Sequence, residues 1–131
     1  MTSLPNRNNK LDGGGGLPSA TFFHLGKVVA MKNLEIDIET YSSTNLQKSG
    51  VYRYVEADDF EVMLFGYAID GGEVKVIDLK NGERIPKEIL DALTDETITK
   101  WAFNAQFERV CLSRYLSYPT GTYLNPSSWK C

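Results

Sequence analysis

The sequence is short of the features that mark secreted, membrane-bound or strongly basic proteins. Only two cysteines, Cys111 and Cys131, stand among 131 residues. They have neither the density of a disulfide-built domain nor the paired spacing of a zinc site, so reduced thiols are expected. No apolar run reaches the roughly 18 residues a membrane-spanning helix needs, and the first candidate is broken by His24 and Lys27. The amino terminus has no signal-peptide layout, and cytoplasm is the expected compartment. Nor are cations in excess. With 14 Lys and Arg against 17 Asp and Glu the net charge is -3, which excludes a protein that grips nucleic acid by bulk charge alone. Any such partner has to be held locally.

What is present divides in two. Residues 1–30 carry Pro5, an Asn-rich polar run, four glycines from Gly13 to Gly16 and Pro18, which is the composition of a flexible tail or linker; an edge strand over 20–30 is the alternative. Arg7, Lys10 and Lys27 against Asp12 give this tail +2, which leaves -5 on the rest. A second possible start, Met31, stands directly before the first regular pattern. Residues 31–131 have the length and composition of one small α/β domain.

Within that domain Leu34, Ile36 and Ile38 alternate with Glu35, Asp37 and Glu39, the period of a strand with chemically opposite faces. An acidic turn at 56–59 precedes an apolar strand over 60–69. Asp70-Gly71-Gly72 then turns the chain into a third strand over 73–79, closed by Asn81-Gly82. Pro86 opens a short helix over 87–93, residues 97–103 read as a fourth strand, and Asn104 can cap a second helix through Phe107, Val110, Cys111 and Tyr115. The expected order is β-β-β-α-β-α. After Leu116 the composition is that of a loop, and Trp129 stands in it unpaired, as though a last α/β unit were missing.

Two groups of residues carry chemistry. Asp37 and Glu39, two apart on a strand, project from one face about 7 Å apart. At an effective dielectric of about 20 and roughly 6 Å they repel by about 3 kcal/mol, a cost that a cation relieves. They end an apolar strand and precede Thr40 and the polar stretch 42–45, where a substrate can lie. The second group is the run 103–108, in which Asn104 starts a helix and Glu108 follows one turn later on the same face. A solvated polar strand face and an ordinary first-turn acid remain the plain structural alternatives.

Together these segments resemble the DEDD-type 3'-5' exonucleases of the RNase H-like fold, the proofreading class found in family A DNA polymerases. Asp37-Ile38-Glu39-Thr40 meets the family's first motif. The run from Asn104 to Glu108 meets the second, with glutamate where aspartate is common. The run from Met31 through Leu46, the stretch from Gly50 to Tyr54 and that from Phe60 to Tyr67 look like phage or prophage polymerases of this kind. The third motif, a helix with a tyrosine or histidine and a fourth carboxylate, is missing after Glu108, and His24 lies on the wrong side of the first motif to replace it.

The resemblance implies an RNase H-like mixed sheet and a partial exonuclease domain over residues 31–131. It further implies that Asp37, Glu39 and Glu108 hold two divalent ions, Mg2+ or Mn2+, about 4 Å apart. In that scheme Asp37 bridges both ions, Glu39 binds one ion and the terminal nucleotide or water, and Glu108 holds the second ion. Thr40 and Asn104 contact a single-stranded DNA 3' end, and a polymerase domain is the implied partner. The rival function is a catalytically incomplete module of the same fold that binds nucleic acid or serves as a scaffold. Tyr52, Arg53 and Tyr54 read equally as hairpin residues or as contacts to a strand end, Asp58 and Asp59 as turn acids, and Arg109 and Arg114 as solvated helix arginines.

Overall fold

The structure, a computed structural model, describes residues 21–24 and 27–131. Residues 1–20 and 25–26 of the expected tail lie outside the described residues. Within the tail's span, β1 (Thr21–His24) and β2 (Lys27–Ala30) pair antiparallel as a two-stranded sheet of their own.

The remaining strands form one mixed five-stranded sheet, and with three helices they give the expected α/β class, consistent with an RNase H-like fold. Its central strand is β3 (Asn33–Tyr41). The hairpin of β4 (Glu61–Ile69) and β5 (Lys75–Asp78) extends the sheet antiparallel on one side, and β6 (Thr99–Trp101) and β7 (Trp129–Lys130) extend it in parallel on the other. The strand order is β5-β4-β3-β6-β7.

Alternation along β3 sets which face is buried. Leu34, Ile36 and Ile38 stand opposite Ile69, Tyr67 and Phe65 on β4, and opposed residues share a face. The buried members of this group belong to one core with the inner residues of helices α1 (Leu46–Glu56), α2 (Lys87–Thr94) and α3 (Ala105–Tyr115). The other face, with Asp37 and Glu39 exposed and Glu35 half-buried, carries the charge. The hairpin is tied to the start of β3 by Asp70, whose carboxylate accepts hydrogen bonds from the backbone N–H of Lys32 (3.2 Å) and Asn33 (2.7 Å).

Two elements correct the expected order. Residues 46–56, for which no element was expected, form helix α1, so Tyr52, Arg53 and Tyr54 are helical and not hairpin residues. Asn45 caps it, its Oδ1 accepting from Lys48 N at 2.9 Å. The polar stretch 42–45 is used up in this turn: Ser42 Oγ donates to the Tyr54 carbonyl at 2.8 Å, and Ser43 N donates to Asp59 at 3.1 Å. The helical pattern is masked in the sequence by Gly50, which takes φ 80° and kinks the helix.

The second correction concerns Trp129, which is not left in a loop. It lies on β7, opposite Lys100, and is 7% exposed. The capped turn at 126–128 delivers it there, with Asn125 Oδ1 accepting from Ser127 N at 2.9 Å. Strand β6 is also shorter than the expected 97–103, because Thr97 bonds the Asp95 carboxylate at one end and the chain turns into α3 at 103–104 at the other. No helix among the described residues is long and apolar enough to cross a membrane.

Lys100, 1% exposed, is the core's one buried cation among the described residues. Its Nζ donates to the Asp95 carbonyl at 2.7 Å. Burial lowers its pKa from 10.5 to about 8, against the opposing pull of Asp95 and Glu96. The folded state therefore releases this proton before the unfolded state does, and stability gains as pH rises from about 8 towards 10.5. At about 1.4 kcal/mol per pH unit of separation the gain is about 3 kcal/mol. Urea unfolding across that range will show the rise in the wild type and its loss in Lys100→Met. Trp129→Ala will cost about 3–5 kcal/mol in the same measurement, the usual penalty for emptying a buried aromatic site.

Candidate active site

The sheet's topology singles out one place. The chain leaves β3 to build β4 and β5 on one side, then crosses to build β6 and β7 on the other. In open α/β sheets the crevice outside the strands' carboxyl ends at such a reversal is where ligands bind. Asp37, Glu39 and Thr40 lie towards the carboxyl end of β3, and Asn104 follows the end of its parallel neighbour β6.

Asp37 stands opposite Gly66 on β4, and Gly66 stands opposite Val76 on β5. With no side chain at Gly66 the sheet surface is hollow beside Asp37, forming a groove of about 220 Å³ lined by Glu35, Asp37, Gly66, Ala68, Val74 and Val76, among others. A Cβ at Gly66 would stand 3.4 Å from the Asp37 carbonyl. Glu39 projects from the same strand face and is exposed. A register shift follows between Glu39 and Thr40. Bulges of this kind re-aim side chains at the end of a strand.

Glu108 differs from the other two carboxylates. It lies in the first turn of α3, is 5% exposed, and its Oε1 has no hydrogen-bond partner. Burial raises its pKa, the backbone N–H groups of Glu108 and Asn104 pull the other way, and the charge on Asp37 raises it further. The smallest of these effects is that of Asp37, whose charge reaches Glu108 although 71 positions separate them in the sequence. An orphaned buried carboxylate oxygen that feels a second carboxylate is what a cation would satisfy, so the residues present suit a divalent ion. Among the described residues no group of three or more His, Cys, Asp and Glu side chains is set to hold a metal ion. Asp37 and Glu39 share the open strand face, and Glu108 lies buried in the first turn of α3, within range of the Asp37 charge.

The flanking residues fall into place around this pair. Thr40 Oγ1 lies 2.9 Å from the Tyr54 hydroxyl, and Tyr54 is itself wedged against Phe60 and Phe107. Tyr54 positions Thr40, a role that the hairpin reading of 52–54 could not reveal. Asn104 occupies the cap position of α3 without a side-chain cap bond, and it is exposed, so its amide is available to a ligand. Tyr52 accepts from Gln106 Nε2 at 2.9 Å and meets Tyr123 edge-on.

Arg109 is half-buried, its Nη1 donating to the Leu124 carbonyl at 2.7 Å, whereas Arg114 is exposed, as a solvated helix arginine is, while its Nε donates to the Val55 carbonyl at 3.0 Å. Both tie α3 to its neighbours. Cys111 is free and buried, its pKa pushed up by burial and by Glu108, which leaves an inert thiol; Cys131 is free and exposed.

Over 101 residues, 77% of its length, the chain is 50% identical to a DNA polymerase of Bacillus phage SP02, and it spans 15% of that polymerase's length. No family model and no solved structure matches the chain.

The raised pKa of Glu108 has a definite sign in stability. The folded state holds this proton more tightly than the unfolded chain, so in metal-free solution the contribution of Glu108 to stability is fullest in acid and is lost as pH rises above the ordinary carboxylate value. Glu108→Gln, which keeps the shape without the charge, will be the more stable protein at neutral pH. The gap between its unfolding midpoint and the wild type's will close on going down to pH 4.

Proposed function

We propose that the chain, similar to part of a phage DNA polymerase, is a metal-dependent 3'-5' exonuclease domain that hydrolyses nucleotides from DNA 3' ends, with proofreading for a polymerase as its setting. The observation that carries this reading is the unpartnered, buried Glu108 oxygen in the field of Asp37. A structural acid at a helix start is normally exposed or fully bonded, because an unsatisfied buried carboxylate is costly. Here the fold maintains one within the field of the Asp37 charge.

In this reading Asp37, Glu39 and Glu108 hold two divalent ions, Mg2+ or Mn2+. Bound there, the ions supply Lewis-acid stabilisation of the phosphate and an activated water. The chain's own contribution is position and field. Burial of Glu108 places its charge in a low dielectric, where attraction to a cation is stronger than in water. Glu39, exposed on the same strand face as Asp37, is free to turn towards the terminal nucleotide or its water. Thr40, held by Tyr54, and Asn104, uncommitted at its cap, contact the strand end. Ions between the carboxylates also reconcile an acidic chain with a polyanionic substrate.

The absence of a three-carboxylate cluster among the described residues favours a second reading, a catalytically incomplete module of the same fold that binds nucleic acid or serves as a scaffold. Release of a labelled 3' nucleotide from a single-stranded oligodeoxynucleotide separates the two. The exonuclease requires release with Mg2+ or Mn2+ and none with chelator. Asp37→Ala will lower the rate on the order of a thousandfold, the several kcal/mol that metal-held charge supplies. Oligonucleotide binding in Ca2+ without turnover in Mg2+ or Mn2+ is the result expected of the incomplete module. Full activity in Asp37→Ala would overturn the exonuclease assignment.

A further inference from the structure

We infer that Phe103 is a base-stacking platform, positioning the unpaired 3' end of a single strand at the carboxylate pair; this rests on the proposed exonuclease reading. Phe103 is 97% exposed, well above the next large apolar side chain, Val74 at 70%. Packing does not account for a phenylalanine there, since a ring in water contributes nothing to the core that burial would reward.

Its place is specific. Phe103 lies in the turn between β6 and α3, directly before Asn104 and one helical turn and a residue ahead of Glu108. Strands β3 and β6 run parallel, and their last paired residues are Glu35 and Trp101. Asp37 is two residues beyond the first, and Phe103 two beyond the second. The same count along neighbouring parallel strands sets the Phe103 backbone near the level of Asp37, in the turn that leaves β6 while β3 runs on to Tyr41.

Tyr52 shows the contrast. It is also exposed near the start of α3, but its hydroxyl is held by Gln106 and its ring by Tyr123. Among the described residues Phe103 makes no ring contact and no hydrogen bond. An unpaired base offers an apolar face of matching size, and stacking on it needs no positive charge. This suits a chain of net charge -3, which lacks the electrostatic grip that strand-binding proteins otherwise use.

The test uses this chain and a single-stranded oligodeoxynucleotide with 2-aminopurine at its 3' end, in Ca2+, with wild type compared against Phe103→Ala, Phe103→Leu and Phe103→Trp. Stacking predicts quenching by the wild type and by the tryptophan variant. Alanine and leucine should lose the quenching and bind about tenfold more weakly, the loss of one base–aromatic stack. Because the ring is exposed, all four proteins should unfold at the same urea concentration.

Wild-type binding and quenching in Phe103→Ala would overturn the inference and leave Phe103 as a contact for another protein surface. Wild-type behaviour in Phe103→Leu would overturn stacking in favour of plain apolar contact. Metal-dependent nucleotide release by the wild type, unchanged in Phe103→Ala, sinks the platform alone. If the wild type neither binds nor cleaves the oligonucleotide, the exonuclease reading falls and the platform with it.

Discussion

The structure turns on the two-faced character of β3. Up to its bulge after Glu39 the strand alternates its side chains, so burying Leu34, Ile36 and Ile38 against the helices also places Asp37 and Glu39 on the opposite, open face. Slipping the register by one residue would bury the carboxylates and expose the aliphatics. The burial of the core and the aim of the site are therefore one constraint. The position of β3 reinforces it: β4 pairs antiparallel on one side and β6 in parallel on the other, so the strand lies at the centre of the sheet.

Helix α3 supplies the second half of the site and accepts an electrostatic cost in doing so. Four of its six buried residues are apolar, yet Glu108 is buried among them with one oxygen unsatisfied and with Asp37 as a like charge. Helix α1 braces the arrangement from the other side. Tyr54 reaches the Thr40 hydroxyl, and Arg114 of α3 bonds the Val55 carbonyl at the end of α1. The connection after β3 thus forms a buttress between the first carboxylate pair and the helix that carries the third acid. Phe103, Asn104 and Glu108 belong to one strand-to-helix turn, which presents in order an exposed ring, a free amide and a buried acid.

Legibility followed the range of the interaction that decided each element. The β4–β5 hairpin, α2 and α3 were readable because each depends on near neighbours: a turn at Asp70-Gly71, Pro86 before a helix, apolar spacing along α3. Helix α1 was missed because its local signals conflict. Asn45 is a good cap, but Gly50 and weak amphipathicity argue against a helix, and packing of Tyr54 and Val55 into the core overrides them. Strand β7 was missed because two residues carry no period, and only pairing with β6 makes them a strand. Arg109 read as solvated because the carbonyl it binds, that of Leu124, lies 15 positions away, and the bond of the exposed Arg114 to the Val55 carbonyl spans 59.

By itself the sequence determined the α/β class, the strand that carries Asp37 and Glu39 on one face, and the helix that begins at Asn104 and contains Glu108. These follow from alternation and spacing, which act between residues a few positions apart. Only the tertiary structure decided that Glu108 is buried with an unpartnered oxygen and is coupled to Asp37. It also decided that Thr40 is held by Tyr54, that Trp129 completes the sheet, and that Phe103 is left bare. Burial and electrostatic coupling depend on what the rest of the chain brings near, and no local pattern carries that information.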